Sequence, residues 1–125
     1  MQKPVLAFLI AISAISPVVA VETSIEITLG TQGDFERRDV RYECSEGDPF
    51  TVTYINAAPN FLALVPIADE PELQVFASVI SASGARYASG QWVWWTKGAE
   101  ATLYDETLGE DAGPVLTCSE FIMTP

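Results

Sequence analysis

From Val40 onward the chain is a succession of short segments in which apolar and polar residues alternate, each cut off by Gly, Pro or Asp. A period of two sends successive side chains to opposite faces of an extended backbone, so the pattern specifies strands and not helices. Val40, Tyr42 and Cys44 share one face, and after the turn Glu46-Gly47-Asp48-Pro49 the residues Phe50, Val52 and Tyr54 repeat the alternation, which predicts a hairpin. Asn60–Ile67, Leu73–Ile80, Arg86–Ala88, Gln91–Thr96, Ala101–Tyr104 and Val115–Cys118 continue the series, and no segment has a convincing 3.6-residue period. Short strands at such close intervals form an antiparallel sheet, which in a small domain must curl or close to protect its edges. A small all-β barrel is the expected fold.

The first twenty residues have a different character. Lys3 precedes the apolar run Val5–Ile12, and small side chains at Val18 and Ala20 suit signal peptidase, so residues 1–20 are expected to be a removable signal peptide. Ser13, Ser16 and Pro17 interrupt the apolar stretch, which falls short of the ~20 residues a membrane span needs. No Cys follows it to take a lipid. The expected product is soluble and periplasmic, with no membrane anchor after signal cleavage. Residues 21–39, with the alternating Ile25-Glu26-Ile27-Thr28-Leu29, read as an N-terminal extension or one edge strand, and 40–125 as the barrel domain. What remains is about 105 residues, room for one core and too few for two lobes with a cleft between them.

The only two cysteines, Cys44 and Cys118, sit near the two ends of this domain in a chain bound for an oxidising compartment, and they are expected to form one disulfide. Closing a loop of that length stabilises the fold by about 4.5 kcal/mol on the chain-entropy model. In a barrel, the bridge ties the first strand to the last.

Composition narrows the function. The chain contains no His, which removes His-based acid–base catalysis, His-ligated metals and Ser-His or Cys-His nucleophile pairs. Its net charge of −11 lacks the clustered Lys and Arg that phosphate binding requires, so no nucleic acid partner is expected. Asp105, Glu106, Glu110 and Asp111 do not follow the spacing of an EF-hand calcium loop and read as a solvated acidic turn. No metal and no cofactor is implied.

Trp92-Val93-Trp94-Trp95 is the most unusual local composition. Alternation places Trp92 and Trp94 on one face and Val93 and Trp95 on the other, so one set fills the barrel and Trp95 is left partly exposed. The strand runs into Thr96-Lys97-Gly98, where Gly98 permits a turn and Lys97 is displayed at its edge. From spacing alone, Lys97 is a solvated turn lysine and Ser83 a loop hydroxyl. A Ser-Lys enzyme built from them lacks any S-x-x-K helix.

Two stretches carry a resemblance. Ser83 to Tyr87 matches S-G-x-x-Y, and Trp95 to Ala101 matches W-x-K-G-x-x-A. Together with Tyr42-Glu43-Cys44, Gly47 and the late Cys118, they resemble the membrane-bound and periplasmic inhibitors of C-type lysozyme over about residues 40–120. That resemblance implies an eight-stranded antiparallel barrel with one disulfide and a C-type lysozyme as partner. It also implies that Ser83 and Lys97, carried on two loops, enter the lysozyme cleft and engage its catalytic carboxylates. Gly84 and Gly98 are expected to let the loops turn tightly, Tyr87 to brace or flank the insertion, and Trp95 and Thr96 to support it. The alternative is an exported small-ligand barrel with a lipocalin-like cavity.

Overall fold

The computed structural model describes residues 2–4, 11, 24–28, 30–31 and 33–121. The expected leader, residues 1–20, lies outside them except for 2–4 and 11. Eight strands follow in order: β1 (Glu36–Cys44), β2 (Phe50–Ala57), β3 (Asn60–Val65), β4 (Gln74–Val79), β5 (Ala85–Ser89), β6 (Trp92–Lys97), β7 (Glu100–Asp105) and β8 (Leu116–Glu120), with one 3₁₀ turn at Glu106–Leu108. Each pairs antiparallel with the next, and β1 returns to pair with β8, closing the barrel.

All eight segments read from the sequence are strands. The largest difference is at the start, where β1 begins at Glu36 and not at Val40. Glu36-Arg37-Arg38-Asp39 has no apolar alternation to reveal it. It is extended because β2 is long enough to pair with it, from Glu36 opposite Asn56 to Asp39 opposite Thr53. Asp39 accepts a 2.7 Å hydrogen bond from Thr53 Oγ1 and lies 3.6 Å from Arg37 Nε. Residues 24–28, read as a possible edge strand, belong to no strand, and Ile25 and Ile27 are exposed.

The inward faces of the strands meet in a filled interior. Trp94, Phe76, Val52 and Val65 are fully buried, with Tyr42, Tyr54, Tyr87 and Leu103 packed around them. Trp94 stands edge-on to Tyr42, ring centroids 5.2 Å apart. Large polar-tipped rings need partners when buried, and here they satisfy one another: Trp94 Nε1 donates to the Tyr54 hydroxyl at 2.9 Å, and the Tyr54 and Tyr42 hydroxyls are 2.7 Å apart. Aromatic side chains thus fill the centre of the barrel, where the lipocalin-like alternative would hold its ligand.

Up-and-down topology sorts the connections into two ends. Ala58-Pro59, Ile80–Gly84 and Gly98-Ala99 open at one end and contain no carboxylate. The other end's loops carry Glu46, Asp48, Asp69, Glu70, Glu72, Glu106, Glu110 and Asp111, with no Lys or Arg. The net negative charge is thus unevenly placed along the barrel axis.

Cys44 and Cys118 lie opposite one another across the β1–β8 seam and are bonded, 74 residues apart in sequence. Reduction should lower Tm by roughly 15–30 °C, from the loop-closure entropy and the melting entropy of a domain this size; a melt unmoved by reductant would mean that backbone pairing alone holds the seam.

Burial also raises the Tyr42, Tyr54 and Tyr87 hydroxyls above the ordinary tyrosine range, and the bond to Tyr54 adds to the effect at Tyr42. Unfolded tyrosines ionise near pH 10, whereas the folded state resists ionisation, so this contribution to stability is complete below about pH 10 and lost above it. Denaturant midpoints should hold steady from pH 7 to 9 and fall steeply above 10.

Candidate functional site

The β4–β5 loop and the β6–β7 turn lie at the end whose loops contain no carboxylate, and each depends on one glycine. Gly98, at φ 58°, opens the two-residue turn that brings Lys97 opposite Glu100. A positive φ at the first turn position with none at the second is the II′ hairpin geometry, which favours Gly there. Gly84, at φ 66°, is needed for a second reason. A Cβ on it would collide with the Thr96 carbonyl oxygen and sit 2.8 Å from Lys97 Cγ. Glycine thus lets the β4–β5 loop lie against the last residues of β6.

Trp95 joins the two loops. It points outward from β6 and is half-buried. Its Nε1 donates to the Ser83 carbonyl at 2.8 Å, and Ser81 Oγ donates to the same carbonyl. Both bonds use the backbone of Ser83, so the loop is held without committing the Ser83 hydroxyl. Lys97 Nζ lies 4.2 Å from the centroid of the same indole, within cation–π range. Thr96 Oγ1 donates to the Ala85 carbonyl at 3.3 Å, fastening β6 to the base of the loop. Ser83 and Lys97 are both exposed.

The structure therefore brings together Ser83, Gly84, Trp95, Thr96, Lys97 and Gly98. Tyr87 behaves differently: it is only 6% exposed and packs inside the barrel against Tyr54, with centroids 5.8 Å apart. It braces β5 from the core and does not flank the loop.

Two neighbours escaped the sequence reading. Arg86 pairs across β5–β6 with Trp95, its guanidinium carbon 5.5 Å from the indole centroid, and Tyr104 lies on the ring's other flank at 6.4 Å. Arg86 Nη2 is 3.5 Å from Glu106, while its Nε is buried without a hydrogen-bond partner. Alternation places Arg86 and Trp95 on outward faces, but only the β5–β6 register makes them neighbours.

A family model described as membrane-bound lysozyme inhibitor of c-type lysozyme matches residues 42–111, a span that includes both loops. A protein of that name from Pseudomonas aeruginosa is 49% identical over 94 residues, covering 74% of this chain and 73% of the relative. The chain belongs to this inhibitor family. Another member, from Cupriavidus necator, is 48% identical over 79 residues, covering 63% of this chain and 62% of the relative. Among solved structures, the Pseudomonas aeruginosa inhibitor crystallised in complex with hen egg white lysozyme superposes with a TM-score of 0.67 at 42% identity, covering 82% of this chain and all of that one.

The match of the family model includes Cys44 and stops before Cys118, so one of the two cysteines that close the barrel lies outside the matched span. The relatives are described as membrane-bound; among the described residues here no helix is long and apolar enough to cross a membrane.

Gly84→Ala should destabilise the domain by about 1–2 kcal/mol through its left-handed backbone alone, and by more if the Thr96 contact cannot relax. The Trp95 indole N–H resonance should shift as the bond to Ser83 is displaced. An unchanged indole signal in the folded variant would show that the loop does not need glycine to close on β6.

Proposed function

We propose that the chain inhibits C-type lysozyme by inserting Ser83 and Lys97 into the lysozyme cleft, where they engage its two catalytic carboxyl groups. The observation that carries this reading is the shared anchor: one indole, Trp95, bonds the Ser83 carbonyl and lies beneath the Lys97 ammonium, so both side chains are presented from one preorganised site. Family membership and the relative's complex with hen egg white lysozyme support the choice of partner.

The chemistry of the target fits these two groups. A retaining glycosidase such as lysozyme uses one carboxyl group as proton donor and a second as nucleophile or stabiliser, about 5–5.5 Å apart. An ammonium with three donors and a short hydroxyl can bond both carboxyls while excluding the sugar, and each contact becomes a charge-assisted hydrogen bond once water is displaced. The three loops at this end carry no carboxylate, and the carboxylate paired across the turn from Lys97 is Glu100, the first residue of β7. A net charge of −11 also attracts a basic lysozyme over longer range, an effect that salt weakens.

Lys97→Ala should weaken inhibition by roughly 30-fold to several thousand-fold, because it leaves desolvated carboxylates without their cation. Ser83→Ala loses one bond to a charged group and should cost roughly 10- to 150-fold. Both residues are exposed, so thermal melts of the variants should match the parent. Inhibition constants measured beside melting curves test the proposal: full-strength inhibition by a correctly folded Lys97→Ala protein would mean that another surface blocks the enzyme.

A further inference from the structure

We propose that the mouth of the barrel at the end opposite Ser83 and Lys97 is a second binding site, and that its ligand is a cationic amphiphile, an apolar chain or ring system ending in an ammonium group. The filled core stops short of this mouth. Above it lies a cavity of about 570 Å³, lined by Phe50, Ile67, Trp92, Leu103, Val115 and Leu116. Its volume falls within the roughly 300–1,000 Å³ of small-molecule sites, and the mouths of β-barrels are one of the places where such sites occur. Ile67 and Leu103 are buried, whereas Phe50, Trp92, Val115 and Leu116 are only half-covered. Apolar area therefore remains that a ligand's hydrocarbon could remove from water.

Charge complementarity selects the class of ligand. Glu46, Asp48 and Asp69 stand on the rim, and no Lys or Arg lines the cavity. Among the described residues the ion pairs are Arg37 with Asp39 and Arg86 with Glu106, so none of the rim carboxylates is engaged. An anionic amphiphile entering this mouth meets three like charges. A cationic one sets its chain on the apolar floor and its head among the carboxylates, and the faces of Trp92 and Phe50 offer further attraction to a quaternary ammonium. Because this mouth and the Trp95 loops lie at opposite ends of the barrel, the site does not depend on the inhibitory reading.

The test is an NMR titration of the disulfide-intact protein with dodecyltrimethylammonium, kept below its micelle concentration. Dodecyl sulfate and dodecyl maltoside serve as the anionic and neutral comparisons. Saturable shifts are expected at Phe50, Leu103 and the Trp92 indole N–H, with the cation binding at least tenfold more tightly than the sulfate. Neutralising the rim with Glu46→Gln, Asp48→Asn and Asp69→Asn should weaken the cation by about tenfold, from three screened contacts, and leave the maltoside unchanged. Asp69 has φ 68°, a conformation that Asn also adopts readily, so the triple variant keeps its backbone. Val115→Arg, which places a cation in the mouth, should abolish cation binding. Three results would overturn the proposal: no saturation, equal affinity for the sulfate, or shifts centred on the exposed Val75 and Val79 of β4 instead of the mouth.

Discussion

The barrel exists only if β1 meets β8. That seam has just three paired positions, Tyr42 with Glu120, Glu43 with Ser119 and Cys44 with Cys118, against seven between β1 and β2. Two flanking backbone bonds lengthen it, from Ser45 N to the Thr117 carbonyl at 2.8 Å and from Phe121 N to the Arg41 carbonyl at 2.7 Å. The disulfide lies at one end of this short contact. An open seam would bare two strand edges, each a template for pairing with another chain. It would also loosen β1, which carries Tyr42 and therefore one member of the buried hydroxyl cluster. Seam, disulfide and aromatic core thus stand or fall together.

Adjacent residues on β6 connect that core to the site. Trp94 points inward and is fixed by Tyr54 and Tyr42, while Trp95 points outward and holds Ser83 and Lys97. A strand side chain cannot change faces without a one-residue slip, and a slip here would drive Trp95 into the core and Trp94 into water. The packing of one indole therefore sets the position of the other. The anchor of the two loops inherits the rigidity of the barrel's largest fully buried side chain, which is how a site formed from exposed loops on a domain of this size can be preorganised.

Much of this was legible in the sequence because it depends on local chemistry. Period-two alternation located all eight strands, the two cysteines marked the closure, and the faces of the Trp92–Trp95 run came out as read. The glycines also announced their turns, although the close approach of Gly84 to Thr96 did not show in the chain itself. What stayed hidden was set by register. Glu36–Asp39 is extended through pairing with β2 and has no pattern of its own, and Arg86 meets Trp95 only because β5 and β6 align as they do. Tyr87 matched a motif whose loop lies outside, yet its position on β5 turns it inward. The hydrogen-bonded cluster of the Tyr42 and Tyr54 hydroxyls and the Trp94 indole joins three residues on three strands, a conjunction that no local spacing encodes.

The uneven placement of charge along the barrel gives the molecule a dipole as well as a net charge. Its negative pole is the set of carboxylate-bearing loops, and the loops with Ser83 and Lys97 form the opposite pole. In the field of a uniformly basic body, the resulting torque turns the carboxylate pole inward and the Lys97 pole outward. Long-range attraction therefore raises the frequency of encounter while opposing the orientation that the proposed insertion of Ser83 and Lys97 requires. Only where a basic partner presents a local patch of negative potential does the torque reverse, and an acidic cleft on an otherwise cationic surface is such a patch. For the insertion proposed above, recognition is then divided by distance: the monopole brings the bodies together, and the fine structure of the partner's field, felt within about a Debye length, turns the Ser83 and Lys97 end toward the cleft.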